Sequence, residues 1–175
     1  MLTHKVDGAL DVLLACMMLA VALAPPVLAA PAPMAAPASF DVADRTAVLS
    51  VHAEGIQLYE CRQEPGGASA WTFREPIATL INNGKTVGRH YVGPTWELDD
   101  GGAVKGKLIA SAPGAAVGDV PLLKLDVSEH RGAGALRDAN LVLRLNTHGG
   151  GLKGPCAKAG ELHAEPYTAD YVFLR

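Results

Sequence analysis

Apolar and polar residues alternate with period two along most of the chain after residue 47. Leu49, Val51 and Ala53 alternate with Ser50, His52 and Glu54, and Ile56 and Leu58 resume the pattern after Gly55, where a bulge is expected. Leu123, Leu125 and Val127 alternate with Lys124, Asp126 and Ser128, and Leu141, Leu143 and Leu145 with Val142, Arg144 and Asn146. This is the periodicity of strands with two unlike faces. Trp71-Thr72-Phe73-Arg74, closed by Glu75-Pro76, reads as one short strand and Ile77 to Ile81 as the next, or as one helical turn. Glu161 to Glu165 and Tyr167 to Leu174 read as the last two.

Turn chemistry separates these runs. Asn82-Asn83-Gly84-Lys85 predicts a type I′ hairpin, because Asn and Gly tolerate positive φ at its two central positions. Gly93-Pro94 predicts a bend, Asp99-Asp100-Gly101-Gly102 a second hairpin and Gly132-Ala133-Gly134 a further turn. No long stretch has helical period, although Val117 to Leu125 has room for a short helix. The expectation is an all-β, mainly antiparallel domain of about nine or ten short strands, either a sandwich or a small barrel.

The first 29 residues carry a different signature. Lys5 precedes an apolar run from Val12 to Leu23, and Val27-Leu28-Ala29 has the small-x-small pattern of an export signal. Cleavage is expected after Ala29, with Ala30 as the alternative, and the run falls short of the roughly 20 residues of a permanent span. Cys16 would leave with the leader. Residues 30–44, rich in Ala and Pro, read as a disordered tether, and residues 45–175 as one domain. The protein is therefore expected to be periplasmic or secreted, with no integral membrane span once the leader is gone. Two cysteines then remain, Cys61 and Cys156, and in an oxidising compartment they are expected to form one disulfide.

The formal charge of −3 supplies no basic footprint for nucleic acid, and no run of like charges occurs. Lys5, Asp7 and Asp11 carry −1 of it away with the leader. The segment His90-Tyr91-Val92-Gly93-Pro94-Thr95-Trp96-Glu97 concentrates the candidate chemistry. His90 titrates near neutrality, Tyr91 and Trp96 offer an aromatic wall, and Glu97 accepts hydrogen bonds. The competing reading puts Tyr91 and Trp96 in the core and makes His90 a turn cap. Asp170, between Ala169 and Tyr171, either faces solvent by alternation or is the buried partner of Arg74 or Arg89.

Two functions follow as expectations. The first is a binding or structural module of the cell envelope that takes a small-molecule or saccharide ligand through His90, Tyr91, Trp96 and Glu97. The second is a hydrolase or lyase in which His90 works with Asp170 or Glu97. His52, His90, His130, His148 and His163 stand at no zinc spacing, so neither metal nor cofactor is expected, a metal-supported site built from histidines of distant strands being the remaining alternative. Asn83-Gly84-Lys85-Thr86 lacks the upstream glycine of a phosphate loop, and Gly67-Ala68-Ser69-Ala70-Trp71 lacks the closing glycine of a nucleophile elbow. The Thr147-to-Gly151 loop is a candidate for closing over a ligand.

Tyr59-Glu60-Cys61, Trp71-to-Pro76, His90-to-Trp96, Asn146-to-Gly150, Pro155-Cys156 and Tyr167-to-Phe173, in that order, resemble the DUF3455 family of exported domains. The resemblance spans about residues 45 to 174 and implies no activity and no catalytic residues. Some fungal members carry a malate dehydrogenase label. A dinucleotide site needs a glycine-rich turn leading into a helix, whereas here Arg137 stands where the third small residue belongs and a strand follows.

Overall fold

The structure is a computed structural model that describes residues 1–2 and 36–175. The leader's apolar run, the cleavage site at Ala29, Cys16 and the start of the tether lie outside the described residues. Eight strands follow in chain order: β1 (Ala47–Gln63), β2 (Ser69–Asn82), β3 (Lys85–Tyr91), β4 (Thr95–Leu98), β5 (Ala103–Ala112), β6 (Leu122–Arg131), β7 (Leu141–Gly149) and β8 (Leu162–Leu174). Each pairs antiparallel with the next, and β8 closes on β1, so the sheet is a closed up-and-down barrel and the sandwich is excluded. Closure leaves no pair of sheets to stack and removes the continuous free edges of an open sheet.

The strands are fewer and longer than expected because two prolines do not end them. Pro76 lies within β2 opposite Gln57, and Pro166 lies within β8 opposite Ile56. A proline has no N–H to donate, so it is tolerated only where one edge needs none. That condition holds at both places. β3 pairs with β2 only from Ala78 onward, and β7 pairs with β8 only from Tyr167 onward.

The central part of the barrel is therefore closed, while the C-terminal half of β1 projects beyond it with the first halves of β2 and β8 at its flanks. Cys61 is disulfide-bonded to Cys156 with 5.8 Å between the Cα atoms. The loop before β8 runs along the free edge of β2, through an Ala70–Pro155 bridge and a Trp71 N–H donating to Gly154 O. The staple thus holds the projecting wall.

Local signals are realised with two differences. Asn83 and Gly84 have φ of 49° and 72°, as the type I′ hairpin requires. Pairing runs without a shift through Gly55, and the bulge falls at Leu58/Tyr59 instead. Gly55 is glycine because of crowding, since a Cβ there would lie 2.2 Å from the Ile77 carbonyl oxygen. Val117 to Leu125 holds no helix but a turn, an Asp119–Gly150 bridge and the start of β6. Among the described residues no helix is long and apolar enough to cross a membrane.

Two cores result. The barrel interior is filled by the inward parity of every strand, including Val51, Leu80, Trp96, Leu125, Tyr171 and Phe173. The second core lies outside the barrel. Leu141, Leu143 and Leu145 face outward from β7, with Leu174 of β8, and Phe40 covers them. Phe40 belongs to a single 3-10 turn, Ala38–Phe40, whose carbonyl accepts from Lys124 Nζ on β6. From Ala36 onward, the stretch read as a tether packs on the barrel, and Phe40 is fully buried.

Candidate functional site

Because the interior of an eight-stranded barrel is just wide enough for side chains or one small ligand, what the inward positions carry decides what it can do. At the end where the wall projects, small or distant side chains leave a cavity of about 520 Å³. Tyr59, Phe73 and Pro76 line it from the projecting wall, and Trp96, Leu123 and Leu125 from across the barrel. Phe73 stands half exposed at the mouth.

Three buried polar side chains share this largely apolar space, and the exposed Arg74, paired with Glu75, lines it as well. Gln57, His90 and Arg144 are all buried and all line the cavity. Arg144 points inward because it shares the parity of Val142, and its register partners are Leu123 on β6 and Tyr171 on β8. Its Nε donates to Pro121 O at 3.0 Å. That carbonyl is placed by Asp119, whose carboxylate accepts from the backbone N–H groups of Gly149 and Ala116, each at 2.8 Å. These two bonds hold the Asp119 carboxyl below its usual range. Among the described residues no carboxylate lies within ion-pair distance of Arg144.

His90 stacks on Trp96 with ring centroids 4.6 Å apart and planes 10° apart, and Tyr171 closes on both rings. A carbonyl oxygen only accepts, so the 2.9 Å contact with Thr95 O makes His90 Nδ1 the donor and leaves Nε2 with its lone pair. Burial pushes the His90 pKa down to about 3, and the Arg144 charge adds to that effect against the Thr95 bond. The imidazole is neutral at physiological pH. Burial likewise raises the Tyr167 and Tyr171 hydroxyls, with the Arg144 charge opposing it at each.

A histidine whose folded pKa lies below its unfolded value of 6.5 destabilises the fold as pH falls. The unfolded chain binds the proton first, so stability is lost from about pH 6.5 down toward pH 3. By that linkage the loss traceable to His90 reaches about 2 kcal/mol at pH 5. Urea unfolding at pH 7, 6 and 5 should show this slope in the parent, and His90→Phe, which retains an aromatic stack, should remove that much of it. Equal slopes in the two proteins would refute a neutral, buried His90.

The segment from His90 to Glu97 is divided by the barrel wall. His90 and Trp96 are inside; Tyr91 and Glu97 are outside. Glu97 accepts from the Tyr91 hydroxyl at 2.7 Å, from Arg131 at 2.6 Å and from Arg89 at 3.1 Å. The Tyr91 hydroxyl is the main cause that holds the Glu97 carboxyl low, with Arg89 and Arg131 adding to it. Asp170 also faces outward, where it accepts from Asn146 and meets His52 Nδ1 at 2.7 Å. Neither Arg74 nor Arg89 is its partner: Arg74 pairs with Glu75 and Arg89 with Glu97. His90 is therefore brought together with neither Asp170 nor Glu97, because period-two alternation puts each carboxylate on the opposite side of the sheet.

The Thr147-to-Gly151 loop is tied down. Gly150 O accepts from Tyr59 Oη at 2.7 Å, and Gly151 N–H donates to Gly118 O at 2.8 Å. Among the described residues no three His, Cys, Asp or Glu side chains gather to hold a metal ion. Gln57 and Arg144, which sequence reasoning did not single out, join His90 as the buried polar side chains of the cavity.

Neither the curated proteins nor the solved structures include a match to this chain. A family model described as a protein of unknown function does match, over residues 42–175. This range takes in all eight strands, both cysteines of the disulfide and every residue of the cavity wall, and the chain belongs to that family, DUF3455.

Proposed function

We propose that this protein is an exported binding barrel that takes one small, largely apolar molecule into the cavity at the projecting end. The single observation behind this reading is the cavity itself. A space of about 520 Å³, walled mainly by aromatic and aliphatic side chains with a few polar groups, has the size and make-up of small-molecule sites. The mouths of β-barrels are a common place for them. The apolar walls favour an apolar body over a saccharide, whose many hydroxyls would each need a partner. The disulfide supports export, since such bonds persist in oxidising compartments. The enzyme reading has less behind it, because His90 has no carboxylate beside it and its low pKa makes it a poor proton carrier near neutral pH.

The test uses the neutral apolar dye N-phenyl-1-naphthylamine. Titration should give saturable fluorescence enhancement at one site per barrel. Leu123→Trp, which fills the cavity from β6, should weaken it at least about tenfold, more than 1.4 kcal/mol, with the folded circular dichroism spectrum kept. A folded parent that gives no saturable signal would refute the reading.

A further inference from the structure

The cavity's polar content is unbalanced. Arg144 is 8% exposed and carries a full positive charge; its Nε donates to Pro121 O, and its other polar neighbour is the uncharged Tyr171 hydroxyl. Two other residues of the wall, Gln57 and Trp96, each keep a buried N–H with no protein partner, at Nε2 and Nε1. The acceptors that face these donors, such as His90 Nε2, are all neutral, so the imbalance of the interior is one of charge. A buried guanidinium without a counter-charge is costly, and such charges are ordinarily paired.

We propose that the ligand of this cavity is an amphipathic monocarboxylate, its carboxylate paired with the Arg144 guanidinium and its apolar body lying against Trp96, Leu123 and Leu125. This rests on the binding function proposed above and adds the chemical class. Three features select the headgroup. With Nε committed to Pro121 O, the two Nη atoms remain, and a guanidinium offers a carboxylate two parallel N–H···O bonds. Arg144 supplies the one uncompensated positive charge, because Arg74, which also lines the cavity, is paired with Glu75 and the neighbouring His90 is neutral, so a dianionic phosphate would stay half uncompensated. The surrounding walls are apolar, which strengthens a charge pair relative to water and leaves no shell for a strongly hydrated ion. Asp119 is a positioning residue here: it fixes the loop whose Pro121 carbonyl orients Arg144.

The experiment is competition against bound N-phenyl-1-naphthylamine at pH 7 with matched pairs: octanoate and octan-1-ol, decanoate and decan-1-ol, 4-phenylbutanoate and 4-phenylbutan-1-ol. In the parent protein at least one acid should displace the dye about 10- to 100-fold better than its alcohol, the range of a desolvated charge pair. In Arg144→Met, of similar length and uncharged, the acid's advantage over its alcohol should vanish. If the dye binds and every acid competes no better than its alcohol, the carboxylate assignment is overturned while the binding cavity stands. If the dye itself does not bind, the cavity reading falls and takes this one with it. Should Arg144→Met fail to fold, the acid–alcohol comparison in the parent decides alone. An acid preference that survives in a folded Arg144→Met also overturns the assignment.

Discussion

Replacing Cys61 and Cys156 together by serine is expected to lower the stability of the barrel by about 4–5 kcal/mol. The two residues are 95 positions apart, so the bond removes a large loop's worth of freedom from the unfolded chain. That is a large share of the total stability of a domain of this size, about 5–15 kcal/mol. Urea unfolding without reductant should show the loss as a lower midpoint, with a steeper slope because the unbridged unfolded chain is less compact. A loss below about 1 kcal/mol would mean that the staple restrains little.

The location of the bond adds a second expectation to the same variant. β2 from Ser69 to Ile77 has β1 on one edge and, on the other, only the Cys156 loop. Releasing Cys156 frees that loop, so amides such as Trp71 N–H, bonded to Gly154 O, should exchange by local opening. Amides of the closed part of the barrel, such as Ala53, should follow global unfolding only. The wall that loosens is the wall that carries Phe73 and Pro76, so the staple governs the cavity more directly than it governs the barrel.

Much of this was legible in the chain, and the strand periodicity carried most of it. Once β3 and β4 are accepted as strands, His90 and Trp96 share one side, and Tyr91 and Glu97 take the other. The same parity places Asp170 away from Tyr171, and the contact between the His90 and Tyr171 rings, which only the structure shows, then separates His90 from Asp170. The prolines were harder. Pro76 and Pro166 read locally as strand ends, and only the register with β3 and β7 shows that their free edges face no strand.

Arg144 was not legible. It alternates with three leucines, and an arginine opposite leucines reads as the solvated face of a half-buried strand. The structure reverses that: Val142 and Arg144 point into the barrel, and the leucines point out. Nothing within β7 announces the reversal, because the cause lies about a hundred residues upstream in the segment that covers the leucines. Gln57 was hidden in the same way, as a polar residue on a side that its apolar neighbours Ile56 and Leu58 appear to exclude.

That covering segment carries the second large expectation: Phe40→Ala should cost about 3–5 kcal/mol, the usual loss for a buried phenylalanine. Its ring is fully buried against Leu141, Leu143, Leu145 and Leu174, and Lys124 anchors its carbonyl. Without it the leucine row becomes a contiguous apolar strip on the outer face, the kind of surface that drives self-association. The variant should therefore show a lower urea midpoint and concentration-dependent light scattering, while the parent scatters as a single species over the same range. Val42→Ala, at a partly buried neighbour, should cost much less. If Phe40→Ala unfolds within about 1 kcal/mol of the parent, the segment merely rests on the barrel. The predicted loss has a consequence for the limits of the domain. The family match begins at residue 42, two positions after the side chain that seals the outer core. A domain cut at that boundary is expected to expose the leucine row, which places the start of the folding unit ahead of Phe40.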